Sequence, residues 1–292
     1  MTKVIIARGG IGFFSHFFQV LGAIRTCSLD GSEPYVYFNK EFVYWSSNGF
    51  NGYKNAWEYY FDNLSIKKHE DLFDISEEEA LMAGPTLLSK HCVKDAKTTS
   101  HYDRYIGWGG VISKDARLTC SKIISKDIRI RQEIQNLVSS RQEEMLKEHT
   151  VGLHFRGTDK KGEIRQLKLD YCPISSYEKI IDEQFSSSKI FVATDSSSTL
   201  EYLKGKYKDR LCYLPSKRSF DEKHLHANGT PLLGQEVLVE AILLSKCNHL
   251  ICGISNVSAA AQCFNYDLPV SCVYENQLPE DIAAFLKSRL CP

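Results

Sequence analysis

Net charge is the first thing this sequence lacks. Its 36 Lys and Arg residues are balanced by 36 Asp and Glu. There is no basic footprint for nucleic acid and no polybasic patch for a membrane surface. No apolar run approaches the ~20 residues of a membrane span. The first 30 residues have neither the basic start nor the small-residue cleavage site of an export signal. Val4-Ile5-Ile6-Ala7 is too short for such a signal and runs straight into glycines. No internal repeat, low-complexity tract or long flexible linker occurs. The ten cysteines contain no C-x-x-C pair, which removes zinc and thioredoxin-type readings. No D-x-D triplet is present, which argues against a metal-bridged diphosphate, so no metal and no cofactor is expected.

These absences set the compartment. Several cysteines lie inside apolar runs, as Cys252 does in HLICGIS, and read as reduced core residues. Without an export signal the expected location is the cytoplasm. The sequon-like triplets at Asn63, Asn228 and Asn256 then carry no sugar.

What is present is an ordinary folded composition, 43% hydrophobic and 25% charged, over 292 residues. That length suits two domains of about 100–200 residues each. The chain opens with the strand-like Val4–Ala7, then Arg8-Gly9-Gly10-Ile11-Gly12, then a helix over Phe13–Thr26 with apolar residues on more than one face. A dinucleotide fingerprint would read G-x-G-x-x-G with an acid about 20 residues on. Gly10 and Gly12 fit its first two positions, but Ser15 stands at the third and the next strand, PYVYFN, ends in Asn39.

Further on, NAWEYYFDNL reads as a short aromatic-rich helix. Residues 63–125 are less regular, with a loop around Gly107–Gly110, and Lys126–His149 has helical spacing of Ile, Leu and Met. From Thr150 the pattern alternates: TVGLHF, KIFVAT, LCYLP, HLICG and PVSCVY as strands, SSYEKIIDEQF, STLEYLKGKY, Glu236–Ser245, an alanine-rich stretch and PEDIAAFLKSRL as helices. Strands alternating with helices argue for a parallel sheet covered on both faces. The economical architecture is α/β with two domains and a cleft between them, and ligands at the carboxyl ends of strands.

The chemistry-bearing residues cluster at those ends. His154-Phe155-Arg156-Gly157-Thr158-Asp159-Lys160 follows a strand. Its arginine suits a phosphate through a planar fork, or else forms a surface ion pair with an aspartate. Asp195, after KIFVAT, is either a ligand for a base or ribose or part of a helix cap with Ser196. Ser255-Asn256-Val257-Ser258 opens a helix after HLICG, where free backbone N–H groups make an anion site.

GLHFRGTDK, VATDSSS about 40 residues later and LSKCNHLICGISNVS after that resemble the nucleotide-binding half of the GDP-fucose-dependent fucosyltransferase group. That group holds the α1,6-fucosyltransferases and nodulation fucosyltransferases, and is related to the α1,2- and protein O-fucosyltransferases. The resemblance covers roughly residues 150–265. The opening Gly10-Ile11-Gly12 with His16 resembles the group's first strand and turn.

The resemblance implies a GT-B-like α/β fold, two Rossmann-like domains with parallel sheets facing a central cleft. The acceptor-side domain would take residues 1–125 and the nucleotide-sugar domain 126–292, with the last helix packing back on the first. It implies an inverting, metal-independent glycosyltransferase. The donor would be GDP-fucose, and the acceptor a glycan or glycoconjugate hydroxyl. Arg156 would bind the β-phosphate. His154 would contact the nucleotide or support Arg156, and Asp159 and Lys160 would shape the pocket. Asp195 would read guanine or ribose, and Ser255 and Asn256 would hold the diphosphate. Glu240 matches an acid in the helix before the last of these strands. Gly10, Gly12 and His16 would face the donor phosphates or the acceptor, His16 being equally readable as a core residue.

Asp159 and Glu163 are both candidates for the base, Glu163 lying one residue from the group's spacing. Trp57 and Trp108 could stack on acceptor sugar, though large aromatics more often pack cores. Gly157 stands where the group often has a second arginine, and Val257 where it has glutamine. Two further readings stay open: the same fold with another GDP- or UDP-sugar, and a non-catalytic nucleotide-sugar or glycan-binding protein.

Overall fold

The computed structural model describes residues 2–7, 12–64, 86–88, 114–158, 160–219 and 229–278. Gly10, Trp108, Asp159, the Gly107–Gly110 loop and the closing PEDIAAFLKSRL segment lie outside the described residues. In chain order the elements are β1 (Thr2–Ile6), α1 (Phe13–Asp30), β2 (Glu33–Tyr37), β3 (Thr86–Leu88), α2 (Lys114–Asp127) and α3 (Gln132–Met145). They continue with β4 (Thr150–Phe155), α4 (Lys160–Gln166), α5 (Ile174–Gln184), β5 (Lys189–Thr194), α6 (Ser197–Tyr207) and β6 (Leu211–Tyr213). α7 (Pro231–Ser245), β7 (His249–Cys252), α8 (Asn256–Phe264) and β8 (Val270–Cys272) complete the set.

The chain divides into two compact units. The first takes in Met1–Arg104, Thr119–Gln135 and His226–Gln235; the second takes in Tyr105–Leu118, Asn136–Leu225 and Glu236–Pro292. Helix α7 therefore belongs to the first unit up to Gln235 and to the second from Glu236. It starts five residues earlier than the sequence pattern suggests, with Pro231 as its first residue. Proline is suited there because no partner is needed for its missing N–H, and the Thr230 hydroxyl accepts from Leu233 N at 3.2 Å.

In the first unit β2, β1 and β3 form a parallel sheet in that order. Helix α1 buries Phe13, Phe14, Phe17, Phe18, Val20, Leu21, Ala23, Ile24 and Cys27, which explains why its sequence is apolar on several faces. NAWEYYFDNL supplies only a 3-10 turn, Ala56–Tyr59. Buried Asn55 sets it: its Oδ1 accepts from Phe38 N at 2.9 Å and Trp57 N at 3.2 Å, and its Nδ2 donates to Val36 O at 2.7 Å.

The helical spacing expected over Lys126–His149 is interrupted. α2 stops at Asp127 and α3 starts at Gln132. Between them the backbone pairs elsewhere: Asp62 N donates to Arg129 O at 2.8 Å and Arg131 N to Tyr60 O at 2.9 Å. Arg131 also lies 3.9 Å over the Tyr53 ring and pairs with Asp62 at 2.8 Å. These tertiary bonds outweigh the few tenths of a kcal/mol per residue that separate helix propensities. Residues 114–125, within the stretch read as less regular, are helical.

The second unit holds a five-stranded parallel sheet in the order β6-β5-β4-β7-β8. Strands β4, β5 and β7 are read correctly from their apolar runs. Val151, Leu153 and Phe155 point to one face, where Ile190, Val192 and Ile251 join side chains of α4, α5 and α6. Gly152 faces the other, where an added Cβ would crowd Leu244 and Cys247. Helices therefore cover both faces, as expected. Within the unit the strand order is third, second, first, fourth, fifth. The connections diverge between β4 and β7, and a crevice opens at their carboxyl ends.

Candidate functional site

The crevice between the ends of β4 and β7 is lined by His154, Arg156 and Lys160 on one side and by Gly253, Ile254 and Ser255 on the other. Tyr171, Tyr177 and Tyr274 complete its wall. Two cations, an imidazole and a helix start thus converge where an open α/β sheet places its ligand.

Asp195 holds the β4 side of the crevice. Its Oδ1 accepts from Gly157 N at 2.8 Å and its Oδ2 from the Thr158 hydroxyl at 2.6 Å. Arg156 Nε lies 3.7 Å from Oδ2. The Asp195 carbonyl accepts from Ser219 N at 2.8 Å, so one residue joins the ends of three strands. The helix cap belongs to Ser196, whose Oγ accepts from Thr199 N at 3.2 Å. Gly157 is packed against this residue: a Cβ there would sit 3.0 Å from Ser196 Cβ and 3.1 Å from Phe155. A side chain there would need Ser196 and Phe155 to give by a few tenths of an ångström.

Lys160 and Glu163 occupy neighbouring turns of α4. Their Nζ and Oε2 are 2.5 Å apart, with the lysine side chain 7% exposed. A buried ammonium of this kind needs its carboxylate partner. His154 is buried beside them. Burial, with the Arg156 and Lys160 charges, pushes its imidazole down to about 3, so it is neutral. Its Nδ1 is 2.6 Å from Ser258 Oγ.

On the β7 side Ser255 caps α8, its Oγ accepting from Val257 N at 3.3 Å, and Asn256 is the first helical residue. Gly253 is forced by crowding. A Cβ there would collide with the Tyr177 hydroxyl and lie 3.1 Å from Tyr274.

Known structures share this architecture. No family model and no curated protein matches the sequence. The fold matches NodZ α1,6-fucosyltransferase co-crystallised with GDP at a TM-score of 0.55 and 14% identity, over 91% of this chain and 93% of that one. NodZ soaked with GDP-fucose matches at 0.53 and 15%, over 91% and 93%. NodZ from Bradyrhizobium matches at 0.54 and 14%, over 91% and 94%.

The chain has the fold of NodZ.

The resemblance first carried by HFRGTDK is thus carried by the backbone as well. Within this NodZ-like fold the remaining candidates are placed as follows. Glu240, on α7, is 13% exposed at its side chain and 3.8 Å from Arg218. It accepts from the Ser216 hydroxyl at 2.8 Å, while Glu236 one turn earlier accepts from Lys217 N at 3.0 Å. The two acids anchor the loop after β6. Burial pushes the Glu240 carboxyl up to about 7, against the opposing pull of Ser216 and Arg218.

Gly12 is the N-cap of α1, its carbonyl accepting from Ser15 N at 3.0 Å and His16 N at 3.4 Å. His16 packs among Phe38 and Phe42 in the first unit's core, 1% exposed. Trp57 is likewise core, 1% exposed and stacked on Phe61 at 4.3 Å. That burial takes Trp57 away from any surface an acceptor could reach.

The sequence reading missed the three tyrosines and the Ser216–Arg218 loop. None carries a spacing signal, since each meets the site through a separate element. All eight described cysteines are free thiols, and seven are buried. Among the described residues no cluster of His, Cys, Asp and Glu could hold a metal, and no helix is long and apolar enough to cross a membrane.

Proposed function

We propose that this protein is a glycosyltransferase that moves fucose from GDP-fucose to a hydroxyl of a glycan or glycoconjugate, with inversion and without a metal. The observation that carries the reading is the crevice where Arg156, Lys160, His154 and the start of α8 meet. It lies at the switch point of a fold shared with a protein crystallised with GDP and GDP-fucose.

In this reading Arg156 grips the β-phosphate and Ser255 and Asn256 hold the diphosphate at the helix start. Asp195 and Glu240 act on the guanosine side through the loops they fix. Glu163 or Asp159 takes the proton of the acceptor hydroxyl. The freed oxygen bonds to C1 of fucose as the bond from C1 to the β-phosphate oxygen breaks. GDP leaves with that electron pair, and Arg156 balances its charge. Lys160 keeps Glu163 in place. The same proposal places the acceptor on residues 1–125, with Gly10, Gly12 and Trp108 toward it or the donor, His16 being a core residue. It gives the donor to residues 126–292, across a GT-B-type cleft, in a cytoplasmic protein.

Gly157, standing where the group often has a second arginine, favours one variant of this reading, the same chemistry on another GDP- or UDP-linked sugar. Calorimetric titration with GDP, UDP and GDP-fucose, with and without magnesium, separates the two. A GDP response independent of magnesium is expected, falling about 100-fold in Arg156→Ala, which loses a charge-assisted pair. A response to UDP alone selects the variant. Binding with neither transfer nor donor hydrolysis makes the chain a nucleotide-sugar binding protein. Turnover retained in a folded Arg156→Ala protein overturns the assignment.

A further inference from the structure

Gln277 ends the short 3-10 turn Glu275–Gln277 after β8 and has no role in the steps above. Its side-chain amide clamps a backbone segment 107 residues earlier in both directions. Oε1 accepts from Asp170 N at 2.8 Å, and Nε2 donates to Asp170 O at 3.1 Å. The Asp170 backbone needs one acceptor and one donor, so only one orientation of the amide fits it. Nε2 also lies 3.4 Å from Cys172 Sγ.

The clamp closes on the crevice wall. Tyr171 is the next residue after Asp170, and Cys172 N donates to the Tyr274 hydroxyl at 3.2 Å. Gln277 N donates to Tyr274 O at 2.9 Å. One ring of hydrogen bonds therefore ties the Tyr171 segment to Tyr274, and Gln277 stands in it. The segment enters this ring through Lys168, whose φ of 57° is left-handed. A side chain disfavours that conformation, so bonds from outside the segment have to hold it. Of the three wall tyrosines, Tyr177 and Tyr274 are buried, and Tyr171 is part-exposed. Tyr171 is the ring a ligand can cover.

The sheet order says which part of a ligand that is. Asp195 follows β5 and the Ser216–Arg218 loop follows β6, both on one flank of β4. The clamp hangs from the end of β8, beyond the opposite flank, past β7. In the nucleotide-sugar reading the diphosphate lies between, at the ends of β4 and β7, with the nucleoside toward β5 and β6. The sugar is then left at Tyr171. A sugar carries apolar C–H edges beside its hydroxyls, and tyrosine meets both with an apolar ring and a polar tip.

We propose that Tyr171 is the ring on which the donor sugar rests, and that Gln277 is the positioning residue that holds it there. The inference rests on the nucleotide-sugar reading for its ligand.

The test is calorimetric titration of the full chain with GDP and with GDP-fucose, which differ by the sugar alone. In Gln277→Ala the affinity for GDP-fucose should fall about tenfold, the loss of one aromatic contact, while the affinity for GDP is kept. The melting temperature should hold, because the clamp's bonds are solvent-exposed. Tyr171→Ala should show the same pattern. Asp170→Ala, which keeps both backbone groups, should behave as wild type. Gln277→Met, of similar length but without the amide, serves where Gln277→Ala does not fold. Equal losses for GDP and GDP-fucose in Gln277→Ala overturn the proposal, as do unchanged affinities in Gln277→Ala or Tyr171→Ala. So does a loss in Asp170→Ala as large as in Gln277→Ala. A wild-type protein that binds neither GDP nor GDP-fucose overturns the nucleotide-sugar reading, and the sugar subsite with it.

Discussion

In the first unit, Trp57 and Phe61 stack at 4.3 Å, Phe38 and Phe42 meet at 4.8 Å, and Phe13 meets Tyr60 edge to face at 4.9 Å. His16 lies among these rings. At the carboxyl edge of the second unit's sheet the contacts are of another kind. Asp195 takes an N–H and a hydroxyl, Lys160 meets Glu163, Ser258 meets His154, and Glu240 meets Ser216. Ring packing is non-directional and scales with area removed from water. The polar contacts are directional, and each contributes only about 0.5–1.5 kcal/mol net. The first region should therefore set stability, and the second should set where ligand-facing groups stand.

The largest test of that contrast is Trp57→Ala. Losing a buried indole should cost about 3–5 kcal/mol, read as a lowered denaturant midpoint, while the folded fraction keeps its GDP affinity. A folded Trp57→Ala protein that has lost GDP binding would break the contrast, because the rings would then be part of the site.

Next comes Glu240, the one place where the polar edge should reach into stability. Its folded value of about 7 lies above the ordinary 4.5, so the folded state binds the extra proton. Stability from this group is fully present below about pH 4.5 and is lost as pH rises toward 7, by up to roughly 3 kcal/mol. Glu240→Gln should flatten that part of the profile in denaturant melts at pH 5 and pH 8. Identical slopes in the two proteins would remove Glu240 from the account.

Smallest in stability, and sharpest in what it separates, is Gly253→Ala. The added methyl meets Tyr177 and Tyr274, and overpacking of this kind costs about 1–3 kcal/mol. The displaced rings line the crevice, so GDP affinity should fall as well. A change in the melt with no change in affinity would place the tyrosines outside the ligand's reach.

The same contrast explains what could be read from the sequence. TVGLHF, KIFVAT and HLICG are short apolar runs that end in polar loops, and a buried parallel strand has no other appearance. The parallel sheet, its covering helices and the cluster around Arg156 were legible for that reason. The break at residues 128–131 was not, because it is made by bonds to Tyr60 and Asp62, far away in the chain. Nor were Tyr177 and Tyr274, which read as ordinary helix or strand residues until the sheet order brings β4 beside β7. Trp57 was legible only as an aromatic. Whether it packs or faces solvent depends on Phe17, Phe38 and Phe61 around it.

Helix α7 changes unit at Gln235–Glu236 without a break in its hydrogen bonding, and each unit is assembled from three separate stretches of chain. No single cut in the gene can release either unit whole.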